Sequence, residues 1–129
     1  MDSSEFEAFL KSFYAARVEG DVEAMAEAFA EDAKFQIVGS PGYSMLATTA
    51  EGREAVRGLL QTVADSFGLD EFAILDLLTD GNKAAVRWKA RVLNVTSGDS
   101  FTMELADFIE IEDGKITSLS EFLDTALAG

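Results

Sequence analysis

The chain has 129 residues, 48% of them hydrophobic, with 10 Lys plus Arg against 24 Asp plus Glu for a formal charge of −14. A chain this long suits one compact domain spanning residues 1–129 that buries roughly two thirds of its unfolded surface, and its charge repels a phosphate backbone, so no nucleic-acid partner is expected. With no Cys and no His, disulfides, thiolate nucleophiles and zinc–sulfur sites are excluded, and acid–base work falls to Asp, Glu, Tyr, Lys or a bound cofactor.

The N-terminal stretch "MDSSEFEAFLKSF" carries acids where a signal peptide has a basic flank and an apolar block, and no apolar run approaches the roughly 20 residues of a membrane span. A cytoplasmic protein without a membrane partner is expected. Ser4 and Glu7 stand at capping-box spacing, Phe6, Phe9, Leu10 and Phe13 repeat at helical spacing, and Gly20 is a favoured helix stop. Asp21 can cap a second, shorter helix with a buried stripe of Val22, Met25 and Phe29. In "EDAKFQIVG" the apolar period moves toward two at Phe35 and Ile37, which predicts a first strand. The stretch "GSPGYSMLATTAEG" holds the only proline and reads as the longest and most mobile loop. Thr48 and Glu51 match another capping box, before a third helix with the stripe Val56, Leu59, Leu60, Val63 and Phe67 that stops at Gly68.

From residue 69 the helical period disappears. Four runs rich in β-formers are separated by "TDGN", "TSGD" and "EDGK", each holding a Gly beside Asp or Ser as short hairpin turns prefer. The order helix, helix, strand, helix and four-stranded meander predicts an α+β fold with three helices packed on a curved, mostly antiparallel sheet.

That order, with the text "EGDVEAMAEAFAEDAKF", "EGREAV" and "DFIEIEDGKI", resembles the NTF2-like superfamily, in particular its SnoaL-like and ketosteroid-isomerase-like members, over residues 4–124. The resemblance implies a cone-shaped fold, an apolar pocket between sheet and helices, and often a homodimer through the outer sheet face. It is specific for fold and poorly specific for activity. The steroid-isomerase pattern would place its oxyanion tyrosine at Phe13, its general-base aspartate at Ile37 and its protonated aspartate at Ala106, all apolar here. Tyr14 neighbours the first of these, but one helical step turns a side chain by about 100°. The epoxide-hydrolase pattern wants Arg-x-Asp; the nearest text is Arg87-Trp88-Lys89, with Glu121 at the last-strand acid position. Polyketide cyclases of this kind pair aspartate with histidine, which is missing.

A two-residue turn at Asp113-Gly114 would pair Ala106 with Glu121 and put Thr102, Glu104, Ala106, Phe108, Leu119, Glu121 and Leu123 on one face. Met103, Leu105, Ile109, Ile111, Ile116 and Phe122 would share the other. Apolarity favours burying the second set; the resemblance turns the first set into the pocket and makes Met103, Leu105, Ile109 and Phe122 a dimer face. A three-residue loop at Ser97-Gly98-Asp99 would align Trp88, Ala90 and Val92 with Phe108, Ala106 and Glu104, leaving Trp88 among apolar neighbours. A two-residue loop at Ser97-Gly98 would instead set Arg91 beside Glu104.

The candidate catalytic residues are therefore Glu121 and Glu104. On one face their Cβ atoms would lie about 7 Å apart, and apolar surroundings plus mutual repulsion would raise the pKa of Glu121 toward neutrality. Glu110, Glu112 and Asp113 are expected in water. Candidate ligand contacts are Phe13, Tyr14, Phe35, Ile37, Leu60, Trp88, Ala106, Phe108 and Leu119, with Tyr43 as a further hydroxyl at the pocket mouth. Two functions fit. One is an isomerase-, cyclase- or hydratase-type enzyme, needing no cofactor or metal, that acts on an apolar small molecule by carboxylate acid–base chemistry. The other is a non-catalytic ligand-binding or dimerisation module.

Overall fold

A computed structural model describes residues 1–39 and 47–124 of the chain. Tyr43 and most of the Gly- and Ser-rich loop expected around it lie outside the described residues. The elements run α1 (Ser3–Glu19), α2 (Val22–Glu27), β1 (Phe29–Val38), β2 (Thr49–Glu51), α3 (Arg53–Ser66), β3 (Phe67–Asp80), β4 (Lys83–Asn94), β5 (Ser100–Glu112) and β6 (Lys115–Phe122). The six strands form one curved, unclosed sheet in the order β2-β1-β6-β5-β4-β3, against which the three helices pack. All neighbours run antiparallel except β1 and β6. This is the α+β architecture expected from the element order.

Helix ends differ in detail from the capping boxes. Asp2, not Ser4, caps α1 by accepting from the Glu5 N–H, and Gly20 ends the helix at a left-handed φ of 71°. Thr48 and Glu51 do not cap α3. Their backbone is drawn into pairing with β1, where Ile37 N–H donates to Thr48 O and Lys34 sits opposite Glu51, so α3 starts after Gly52 with no side-chain cap. Phe29 lies beyond α2, buried at the start of β1.

Two ladders have a register other than the expected one. Between β4 and β5 the turn spans residues 95–98, because Asn94 Oδ1 accepts from the N–H groups of Thr96 and Ser97 while Asn94 N–H donates to Asp99 O. Trp88 consequently faces Leu105, and Lys89 faces Glu104. Between β5 and β6 the two-residue turn forms as expected, with positive φ at both Asp113 (51°) and Gly114 (76°), as a type I′ turn requires. Ile111 pairs with Ile116, but Glu110 pairs with Ser118, so Thr117 is an extra residue. A β-bulge of this kind shifts every later residue of its strand by one. Glu121 therefore opposes Asp107, and Ala106 opposes Phe122.

The bulge corrects the face assignment. On β5 the buried row is Met103, Leu105, Asp107, Ile109 and Ile111; on β6 it is Ile116, Leu119 and Glu121. Apolarity correctly predicts the inner row of β5, and the resemblance correctly predicts the inward turn of Glu121. Glu104, Phe108 and Phe122 are exposed and Ala106 half-buried on the outer face, so Met103, Leu105 and Ile109 cannot form an outer dimer surface.

Candidate active site

The α1 side chains that reach the sheet follow helical spacing: Phe6, Leu10, Phe13 and Tyr14 are buried, and Arg17 continues the same face one turn on, with only 9% of its side chain exposed. Arg17 meets Glu121 through a two-pronged contact, Nη1 to Oε2 at 2.5 Å and Nη2 to Oε1 at 2.8 Å. Its guanidinium also lies over the Trp88 ring, 4.9 Å from the centroid. Behind this pair, the Tyr14 hydroxyl donates to Asp107 Oδ2 at 2.5 Å and Trp88 Nε1–H donates to the same oxygen at 2.9 Å. A bulge in β3 between Asp70 and Ala73, with Glu71 at φ 51°, brings Phe72 against the rings of both Tyr14 and Trp88.

Asp107 and Glu121 are both fully buried. Two ionised carboxylates facing each other across a ladder with one guanidinium would leave an uncompensated buried charge, which is far costlier than a neutral arrangement. The hydrogen bonds leave one carboxyl oxygen open to a proton. Asp107 Oδ2 accepts from two donors, while Oδ1 is buried with no protein donor reaching it among the described residues. An orphaned carboxylate oxygen is expensive, but an Oδ1–H that donates to Glu121 satisfies it. Burial, then the charge and hydrogen bond of Glu121, hold Asp107 well above the usual carboxylate range, against a smaller opposing pull from Arg17 and Tyr14. Its environment thus favours the neutral carboxylic acid over the carboxylate.

Glu121 has the opposite balance. Burial pushes its pKa up, but the Arg17 charge and hydrogen bonds, joined by the hydrogen bond from Asp107, outweigh burial and bring it below its ordinary value. The expectation of a raised Glu121 pKa is therefore corrected, because the sequence reading did not place Arg17 beside it. Burial alone would lower the Arg17 pKa, yet Glu121 more than reverses this and secures the cation. Tyr14 is pushed well above its normal pKa by burial and then by Asp107. The group is one cation, one anion and neutral hydroxyl, indole and carboxyl donors.

Arg17, Trp88 and Glu121 form the polar part of the wall of a cavity of about 210 Å³. Its remaining wall is mostly apolar and includes Met25, Ile37, Leu60, Val63, Met103 and Leu105, with Glu19 and Gly20 among the other lining residues. Of the residues singled out from the sequence, the fold brings Glu121, Trp88, Ile37 and Leu60 together on this wall. Phe13, Tyr14, Phe35 and Leu119 are buried but do not line it. Glu104 is on the opposite face of the sheet, hydrogen-bonded to Arg87 at 3.0 Å, and Ala106 and Phe108 share that outer face.

Residues 10–119 match the family model of the SnoaL-like domain. The chain belongs to the SnoaL-like family. A search of curated proteins found no match. Among solved structures, this SnoaL-like chain is similar to an NTF2-like protein from Burkholderia xenovorans, with 27% identity, 99% of this chain and 96% of that one covered, and a TM-score of 0.78. It shares its fold with a Bacillus subtilis protein provisionally named an isomerase, at 22% identity, 96% and 90% coverage and a TM-score of 0.83. It also shares its fold with TerC, co-crystallized with polyporic acid, at 19% identity, 94% and 92% coverage and a TM-score of 0.79. Among the described residues no helix is long and apolar enough to cross a membrane.

Arg17 and Asp107 escaped the sequence reading, although both left a trace. Asp107 interrupts an apolar row of period two, Met103, Leu105, Ile109 and Ile111, and an acid in such a row is a buried acid. Arg17 stands three and four positions after Tyr14 and Phe13, on the core stripe of its helix.

Proposed function

We propose that this SnoaL-like chain is a cofactor-independent enzyme that moves a proton on a small, largely apolar carbonyl compound, with Glu121 as base and Arg17 as the electrophilic partner. The observation that carries this reading is the meeting of a buried carboxylate, backed by a second buried carboxyl group, with a guanidinium on the wall of an otherwise apolar cavity. A carbonyl oxygen of the substrate accepts from N–H groups that Arg17 does not use on Glu121. The carbon beside that carbonyl gives its proton to Glu121, and the electron pair of the broken C–H bond moves onto the oxygen facing Arg17. Neutral Glu121 and the cation–enolate pair then carry the same total charge as before, so no net charge is created in the buried site. Returning the proton to a different carbon would complete an isomerisation.

Glu121 is a weak base while Arg17 grips both its oxygens. Substrate drawing on the same guanidinium loosens that grip and expels water, and both changes raise the basicity of the carboxylate. The likeness to a protein provisionally named an isomerase and to one co-crystallized with polyporic acid supports a small-molecule role without specifying the reaction. The test is proton–deuterium exchange at the α-carbon of single-ring ketones in D2O, followed by NMR. The protein should accelerate exchange, and Glu121→Gln should abolish it. No acceleration with ketones shown to occupy the cavity would remove the catalytic reading.

A second reading is a non-catalytic binding module, favoured by the lowered pKa of Glu121 and its double hydrogen bond to Arg17. We also propose a homodimer through the outer sheet face. There Leu78, Phe108 and Phe122 are 69%, 55% and 43% exposed, and Phe108 and Phe122 pack edge to face. A connected apolar surface of this kind on a strand face is better covered than solvated.

A further inference from the structure

We propose that the Arg17–Glu121 pair makes the cavity selective by charge: it admits uncharged ligands that offer a hydrogen-bond acceptor, and it rejects carboxylates although an arginine stands in its wall. This deepens the reading of the cavity as a substrate site and rests on it.

The reasoning starts from an apparent contradiction. A guanidinium in an apolar cavity is ordinarily a carboxylate receptor, because its planar fork matches two carboxylate oxygens. Here the fork is already occupied: Nη1 and Nη2 each bond one oxygen of Glu121. Glu121 is fully buried, and the acid opposite it, Asp107, offers no second cation. A ligand carboxylate could reach Arg17 in one of two ways. It could displace Glu121, leaving a buried carboxylate without a partner. It could instead join the pair and leave two anions on one cation. Both place an uncompensated negative charge in a low-dielectric site.

An uncharged acceptor meets no such penalty. Arginine carries five N–H donors, and Glu121 takes two of those on Arg17. No acceptor among the described residues bonds the others, so a carbonyl, amide or ether oxygen can use them while the ion pair stays intact. The cavity volume of about 210 Å³ suits a ligand portion of one ring with a small substituent, since a cavity of about 150 Å³ holds benzene. The substrate class is therefore a neutral, compact carbonyl compound, or the neutral ester or amide of an acid rather than the free acid.

The experiment compares matched pairs of single-ring probes, such as benzamide with benzoate and acetophenone with phenylacetate, by ligand-detected NMR titration at pH 7.5. Binding is read without turnover, so a cavity that fails to catalyse exchange can still show the discrimination. In the wild type the neutral member should bind at least about 100-fold more tightly, the low end of what an unpaired buried charge imposes. Glu121→Gln combined with Asp107→Asn frees the Arg17 fork, removes the second carboxyl that could balance it and leaves a net positive site, so the preference should reverse and benzoate should bind better than benzamide. Equal or tighter binding of the carboxylates by the wild type would overturn the proposal, as would failure of every neutral probe to bind. The wild-type comparison decides the matter on its own if the double variant does not fold.

Discussion

Asp107 and Glu121 stand directly opposite each other across β5 and β6, both without solvent contact, and burial beside the charge of Glu121 favours a proton on Asp107, for which Oδ1 is the open oxygen. Asparagine has the shape of that neutral acid, with an oxygen to accept from Tyr14 and Trp88 and an N–H to donate to Glu121. Asp107→Asn should therefore fold with native stability. Asp107→Ala leaves two buried donors without an acceptor and should cost roughly 2–5 kcal/mol. Thermal and urea unfolding of the two variants separates these outcomes; an Asn variant as damaged as the Ala variant would mean that Asp107 is ionised.

The same proton predicts a pH dependence. Asp107 has a folded pKa raised above its ordinary 3.8, so its contribution to stability is full below that value and is lost as pH rises through the folded pKa. Glu121 is lowered from 4.5, so its contribution is full above that value and is lost as pH falls through the folded pKa. Asp107→Asn removes only the first of these. The stability of the variant relative to wild type should accordingly increase as pH is raised from about 4 toward 9, measured by urea unfolding at each pH.

Removing one side of the buried ion pair should be far worse than removing both. Arg17→Met strands a buried carboxylate and should cost about 3–5 kcal/mol, whereas Arg17→Met with Glu121→Leu should recover most of that loss. In the single variant the Glu121 pKa should rise above its ordinary value, since burial is then opposed only by the hydrogen bond from Asp107. Carboxyl NMR titration reads that sign directly.

On the outer face, Phe108→Glu with Phe122→Glu should leave the melting temperature within a few degrees of wild type, because both side chains are already exposed. If that face joins two copies, sedimentation should shift from dimer to monomer at micromolar concentration. A wild type that is monomeric under those conditions would end the dimer proposal.

The fold was legible in the chain because helical stripes, Gly stops and Asp-Gly or Ser-Gly turns are local signals. Gly20, Asp113 and Gly114 do in space what their sequence neighbours suggest. The site was half legible. Glu121 could be assigned to the pocket, but its partner could not, because Arg17 lies 104 residues away and no local pattern reports a contact at that separation. The extra residue Thr117 was illegible for a different reason. A bulge is chosen by what the whole strand gains from being re-phased, not by Thr117 itself.

That choice affects how the chain reaches its native state. A regular β5–β6 ladder without the bulge would point Phe122 inward and Glu121 outward beside Ala106, an alternative that an apolar core could accept. What it lacks is the two-pronged Glu121 contact for Arg17, which α1 delivers to the inner side of the sheet. The ion pair thus acts as a register check, rewarding the one alignment of the last strand in which Glu121 arrives under the guanidinium. Once both residues are made apolar the two alignments compete on packing alone, and the double variant, although stable, should refold through a slipped hairpin that must unzip before it corrects itself.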